Sequence, residues 1–288
     1  LAWFHFLIIQ SDHPFHVVGL NATGSLLMSR IMSHGLAAFA GLLLVVSSAA
    51  VSKAAPIVVD AKSNIFGAGR SAAPDPGGFG GGILPPVLSF TPGDKLEVIF
   101  NSVTGSVSYN NDAGDPNRGQ FNGPDGGAVS YPPAVPDAFN VNVLSYGGIS
   151  GMTVVESRSA DRRVMFLTGV FLNDNEPSGA APERLDFSSY ALGRDFDTLS
   201  PGLNQTFFIG DGLTGTGTGN KQRFIVPSGA TRLFLGIVDA ADFLGKPTFY
   251  DNNDGAFLVD VSVVPEPASG SMVLCGVSLL AGLFRRRR

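Results

Sequence analysis

The sequence predicts an all-β body, an antiparallel β-sandwich of jelly-roll-like form, flanked by an N-terminal signal helix and a C-terminal single transmembrane helix. Three observations predict it. Apolar runs in the body are short, glycine and proline (37 and 19 residues) punctuate them throughout, and no body segment sustains a long helical period. The strand-length runs are residues 96–100, 141–145, 164–172, 206–209, 223–226, 232–238 and 256–264, each bounded by Gly, Pro, Asn or Asp. In the last of them Phe257, Val259, Val261 and Val263 alternate with Leu258, Asp260, Ser262 and Val264, the period of a half-buried strand. Short strands with recurrent turn signals favour two packed sheets, with Phe, Val, Leu and Ile as the filling.

The ends read as targeting material. Met28-Ser-Arg opens a conventional export signal: Arg30, an apolar stretch over residues 36–46, then small residues at Ser48-Ala49-Ala50 and Ser52-Lys53-Ala54 for cleavage. Residues 1–27 are accordingly expected to be a misassigned upstream extension and 28–54 a signal peptide. Residues 65–83 are dense in Gly, Ala and Pro, so 55–83 is expected to be a flexible leader and 84–264 the folded domain. At the far end, Pro265-Glu266-Pro267 precedes seventeen mostly apolar residues and then Arg285-Arg286-Arg287-Arg288. That apolar length is at the lower limit for a spanning helix, and the arginines should stay on the cytoplasmic side.

Between the ends, residues 55–264 carry thirteen Lys or Arg against twenty-two Asp or Glu, a formal charge of −9. An acidic body lacks the basic stripe that a nucleic-acid binder needs to displace counterions, so no nucleic-acid partner is expected. All four histidines precede the body, the one cysteine is Cys275 and the one tryptophan is Trp3. The absence of His and Cys excludes Ser-His-Asp and Cys-His nucleophiles, His-ligated zinc and an internal disulfide. A carboxylate pair could still hydrolyse glycosides, but no motif points to it, and the chain is read as a non-enzyme.

What remains is oxygen chemistry. The densest oxygen cluster is Asp239-Ala-Ala-Asp242 with Tyr250-Asp251-Asn252-Asn253-Asp254-Gly255, between two expected strands. Calcium takes six to eight oxygens from carboxylates, amides and carbonyls, which such a loop can supply. The same residues also fill ordinary hairpin loops, where their side chains bond their own backbone. Asn173-Asp174-Asn175-Glu176 is a second oxygen-rich loop, read first as a solvated turn, with a second calcium site as the alternative. Thr214-Gly215-Thr216-Gly217-Thr218-Gly219 lacks a following helix and a P-loop lysine, and is read as a hairpin loop.

Two resemblances sharpen these readings. The order Pro-Glu-Pro, apolar helix, arginine cluster resembles the PEP-CTERM sorting signal, also labelled an ice-binding protein C-terminal domain without any implication of ice binding. It implies an exosortase-type membrane protease as partner, transient anchoring in the inner membrane, and final placement at the cell surface or in the extracellular matrix. The segment Tyr250-Asp-Asn252-Asn253-Asp-Gly255-Ala-Phe257, with Asp239 ending the preceding strand, resembles the calcium loop of the bacterial galactophilic (PA-IL-like) lectins. Gly105-Ser-Val-Ser-Tyr109, preceded by Pro92-Gly93-Asp94, matches that family's segment after the first core strand.

The lectin resemblance implies a Ca2+ ion held by the side chains of Asp239, Asn252 and Asn253 and the carbonyls of Tyr109 and Phe249. It also implies carbohydrate or exopolysaccharide as partner, with sugar contacts at Asp239 and Asn252 and at Pro124 and Asp125, where the family's His-Pro-x-Gln segment is replaced by Gly123-Pro124-Asp125-Gly126. Tyr109 or Tyr250 is expected either to offer a ring face to the sugar or to belong to the core. The alternative is a structural or adhesive matrix protein in which the Asp-Asn loop is only a turn.

Overall fold

The computed structural model describes residues 55–91, 96–115, 118–127, 141–156, 161 and 163–265. The expected signal peptide, apolar tail helix and arginine cluster, together with Glu266, Pro267 and Pro92-Gly93-Asp94, lie outside the described residues. Pro265 ends the last strand. No helix among the described residues is long and apolar enough to cross a membrane.

Among the described residues the structure is all-β, and the helical elements are single 3-10 turns. In chain order the strands are β1 (Ile57–Asp60), β2 (Val87–Ser89), β3 (Leu96–Ser108), β4 (Phe121–Asn122), β5 (Val141–Val143), β6 (Met152–Val154), β7 (Thr168–Leu172) and β8 (Leu185–Asp186). They continue with β9 (Thr198–Leu199), β10 (Thr206–Phe208), β11 (Leu213–Gly215), β12 (Thr218–Lys221), β13 (Arg223–Ile225), β14 (Arg232–Gly236), β15 (Leu244–Gly245) and β16 (Asp254–Pro265). One sheet runs β1-β16-β3-β13-β9 with β4 beside β3; a second runs β10-β7-β14-β2; a third runs β15-β5-β6-β8; β11 and β12 form a separate hairpin. Most pairings are antiparallel, but β9 with β13, β15 with β5 and β6 with β8 are short parallel ones.

The backbone of the first sheet is the β3–β16 ladder, in antiparallel register from Asp254 opposite Ser108 to Pro265 opposite Leu96. Alternation along β16 follows the sequence: Phe257, Val259 and Val261 are buried while Leu258 is exposed. A bulge between Asp260 and Val261 interrupts the period, and Ser262 beyond it is buried too. Between the first two sheets the filling is aromatic. Phe224 of β13 meets Phe100 of β3 edge-on at 5.4 Å and Phe207 of β10 at 5.2 Å, and Phe207 stacks on Phe171 of β7 at 5.1 Å. A line of four fully buried rings therefore runs from one sheet into the other.

Residues 55–83 correct the sequence reading. They are part of the fold, not a flexible leader: β1 pairs with β16 from Ile57 opposite Val259 to Asp60 opposite Ala256. Ile65, Phe66 and Ala68 are fully buried. Asn64 organises the glycine-rich run beyond it, accepting from the Phe66 N–H at 3.0 Å and donating its amide to the carbonyls of Pro74 and Gly81, both at 2.9 Å. The glycines are used for close approach: Gly82 has φ +69°, and a Cβ there would run into the Lys62 carbonyl and the Tyr250 side chain. Composition suggests disorder because it weighs only what each side chain can bury, whereas this segment is held by hydrogen bonds and by the buried Val59, Ala61, Ile65, Phe66 and Ala68.

Phe66→Ala separates the two readings. Emptying a fully buried aromatic site should lower unfolding stability in urea by about 3–5 kcal/mol; a flexible leader would leave the midpoint where it was.

Candidate functional site

Four chain segments meet at one end of the β3–β16 ladder. Tyr109 follows the end of β3, and the 3-10 turn Tyr250–Asn252 with Asn253 immediately precedes β16, so the Asp254–Ser108 register sets them side by side. The Asn111 N–H donates to the Asn252 carbonyl at 2.6 Å, tying the two ends together. Asp239 arrives just after β14, and Ala61 just after β1.

Asp239 is 2 % exposed and Asn253 1 % exposed. The Asn253 amide donates one hydrogen to Asp239 Oδ2 at 2.9 Å and the other to the Ala61 carbonyl at 3.1 Å. Two acceptors on the nitrogen fix the orientation of the amide, and its Oδ1 is buried without a hydrogen-bond donor. Asn252 donates to Asp112 Oδ2 at 3.2 Å, and its Oδ1 is likewise buried without a donor. The second carboxylate oxygen of Asp239 accepts from the Ala240 N–H at 2.7 Å. Its backbone N–H donates to the Tyr250 hydroxyl at 3.0 Å, which in turn donates to the Ile237 carbonyl at 3.3 Å.

None of the ion pairs among the described residues involves Asp239. Burial therefore pushes its carboxyl well above the ordinary carboxylate range, and the bonds from Asn253 and Ala240 only partly offset this. Burial, and then the Asp239 charge, push the Tyr250 hydroxyl up as well. Each unsatisfied buried oxygen costs about 1–3 kcal/mol, so this corner carries a local deficit that a hard cation, attracted to carboxylate and amide oxygens, would relieve.

Beside it lies a cavity of about 300 Å3, lined by Tyr109, Asp112, Asp115, Asp239, Asp242, Phe249 and Asn252 among others. Of the five expected calcium ligands, Asp239, Asn252, Tyr109 and Phe249 thus share one cavity, and Asn253 joins through its bond to Asp239. Three of the five non-glycine residues with positive φ in the described chain, Asp242, Phe243 and Phe249, are also here. Among the described residues no group of three or more His, Cys, Asp or Glu is close enough to hold a metal. A cation at this corner would rest on one carboxylate and neutral oxygens, the donor set that calcium accepts and zinc does not favour.

Pro124 and Asp125 are not part of this site. The Pro124 carbonyl accepts from the Leu167 N–H at 2.9 Å, and Asp125 Oδ1 from the Asp211 N–H at 2.8 Å. Asp125 lines a separate cavity with Arg163, Arg194 and Thr216, where burial pushes its carboxyl up. The turn docks against residues 164–167 through its backbone and against Asp211 through the Asp125 carboxylate. Tyr250 is fully buried and belongs to the core, while Tyr109 is half-buried, edge-on to Phe243 at 5.8 Å. The loop Asn173-Asp174-Asn175-Glu176 is a docked turn, its carbonyls bonded by Arg232, its Asp174 by Thr231 and its Glu176 by Arg70. The Thr-Gly repeat forms the β11–β12 hairpin. Sequence reasoning misses Asp112 and Asp115, although the run Asn110-Asn111-Asp112-Ala113-Gly114-Asp115 directly after Tyr109 has the same oxygen density as the loop at 250–255.

The buried carboxyl sets a pH dependence with a definite sign. Its pKa is about 3.8 in the unfolded chain and well above that when folded, so between the two values the folded state binds more protons and stability falls as pH rises. In chelator, the drop in melting temperature between pH 4.5 and 7.5 should be smaller for Asp239→Asn than for wild type. Equal drops would show that Asp239 is not the titrating group.

Comparison with protein-family models, with curated proteins and with solved structures gave no match.

Proposed function

We infer that the protein is an exported, non-enzymatic component of the cell surface or extracellular matrix whose β-sandwich of jelly-roll type binds carbohydrate through a calcium ion. The observation that carries this reading is a buried Asp239 without an ion pair, bonded by the Asn253 amide and sharing a cavity with Asn252, while Asn252 Oδ1 and Asn253 Oδ1 are buried and accept no hydrogen bond. Those three side chains, with the carbonyls of Tyr109 and Phe249, would hold the ion. Bound calcium supplies exchangeable coordination positions that vicinal sugar hydroxyls can take in place of water.

The chain's own residues then do the selecting. Asp239 and Asn252, at the cavity wall, orient hydroxyls by hydrogen bonding, and Asp112, Asp115 and Asp242 accept further ones. The cavity volume of about 300 Å3 suits a single sugar ring more than an extended chain. A site of this kind binds weakly per copy, and display of many copies at a surface provides avidity. The sorting half of the reading rests on the sequence of the tail: Pro265-Glu266-Pro267, the apolar run and Arg285 to Arg288 as the signal for an exosortase-type protease, with the membrane holding the chain until processing.

Calcium at 1 mM should raise the melting temperature of the purified protein, and chelator should release it from an immobilised-sugar matrix. Asn253→Ala should abolish both effects. An unchanged melting temperature at millimolar calcium would leave the structural or adhesive reading in its place.

A further inference from the structure

The cavity wall continues outward, through the half-buried Phe249, to an exposed aromatic ring that the calcium reading does not use. Phe79 is the one large side chain in the run Gly77-Gly78-Phe79-Gly80-Gly81-Gly82. Its ring lies 4.9 Å from that of Phe249 with an interplanar angle of 5°, and it is 65 % exposed. Phe249, whose backbone is left-handed with φ 68°, is itself a wall of the cavity that contains Asp239 and Asn252. The exposed ring is thus continuous with the site through a parallel stack.

The loop that carries Phe79 is fixed on both sides. Asp75 accepts from the N–H groups of Gly78 and Gly80, both at 2.9 Å, and the Thr248 hydroxyl accepts from the Phe79 N–H at 2.8 Å while donating to Asp75 at 2.8 Å. Thr248 directly precedes Phe249, so one small network sets both rings. Holding a large apolar ring in water forgoes the stabilisation that burial would give, and a flat, rigid ring face loses little entropy when something is laid on it. The adjoining polar surface is acidic: Asp112, Asp115 and Asp242 line the cavity with Asp239, and among the described residues no Lys or Arg does.

We propose that the Phe79–Phe249 stack is a second sugar subsite, on which a neutral pyranose residue adjoining the one in the cavity lays its C–H face. This rests on the carbohydrate reading above and adds the ligand class: neutral oligosaccharides of two or more residues, with uronic acid chains repelled by the acidic lining. The face of an aromatic ring is negative and attracts the weakly positive C–H groups of a pyranose. Phe249 supplies the cavity side of the stack and Phe79 the solvent side.

The test is calorimetric titration of the full chain in 1 mM calcium with neutral mono-, di- and tetrasaccharides of galactose, glucose, mannose and fucose, and with tetragalacturonate. The disaccharide or tetrasaccharide of the preferred sugar should bind about five- to tenfold more tightly than the monosaccharide, and tetragalacturonate should not bind. Phe79→Ala should erase that gain while leaving monosaccharide affinity and the calcium-induced rise in melting temperature at wild-type values, and Phe79→Trp should keep it. If Phe79→Ala binds every saccharide as wild type does, or weakens monosaccharide as much as oligosaccharide, the subsite is refuted and the calcium-sugar reading stands. If tetragalacturonate binds as tightly as a neutral tetrasaccharide, the assignment to neutral ligands is refuted. If wild type responds to calcium yet takes up none of the saccharides, both the carbohydrate reading and the subsite fall.

Discussion

The carboxylate of Asp239 is the constraint on which this end of the molecule turns. It is 2 % exposed, has no cationic partner among the described residues, and is bonded by an amide that also holds the chain leaving β1. Burying an acid in that way is unfavourable unless something compensates it. Within the protein the compensation is partial, two hydrogen bonds against near-complete desolvation, and the two neighbouring amide oxygens add to the deficit instead of relieving it. The segments after β1, β3 and β14 and before β16 are all tied to this corner, so whatever neutralises it also reinforces the junction of the two main sheets. A cation bound at this corner would therefore link its affinity to the stability of the fold.

The glycine-rich segment shows how such a corner is enclosed. Gly82 lets the backbone lie against Lys62 and Tyr250, and Asp251 accepts from the Gly82 N–H at 2.9 Å. Asp251 belongs to the same turn as Asn252, so a loop that looks like a linker in composition in fact fastens the outside of the Asp-Asn turn. Phe79 in that loop is exposed apart from its stack on Phe249.

Much of this is legible in the sequence and some is not, for identifiable reasons. Alternation over 257–263 and the punctuated apolar runs mark the strands, because side-chain period and turn chemistry are local properties. The length of β3 is not legible: beyond Phe100 it continues through Ser102, Thr104 and Ser106, whose exposed faces carry no apolar signal, and only pairing with β16 keeps them extended. The oxygen-rich runs 239–242 and 250–255 stand out from residue type and spacing, and the choice of Asp239, Asn252 and Asn253 within them comes from the lectin resemblance. Pro124 and Asp125 are misplaced by sequence reasoning, since the position of an irregular loop depends on the surface it docks against, here residues 164–167. Residues 65–83 are misread because backbone hydrogen bonds and close glycine contacts leave no trace in hydropathy.

The body contains no tryptophan, and the hydroxyl of Tyr250 lies 3.0 Å from the Asp239 N–H while Tyr109 lines the same cavity. Terbium, a hard trivalent ion that takes calcium sites, would therefore sit close enough to either ring to be excited through it. Titration of the protein with terbium under tyrosine excitation should give saturable emission at one ion per chain, reversed by calcium and lost in Asp239→Asn. Emission no stronger than that of terbium in buffer, or equal in Asp239→Asn, would contradict the claim that this buried carboxylate and its two amide neighbours form a cation site.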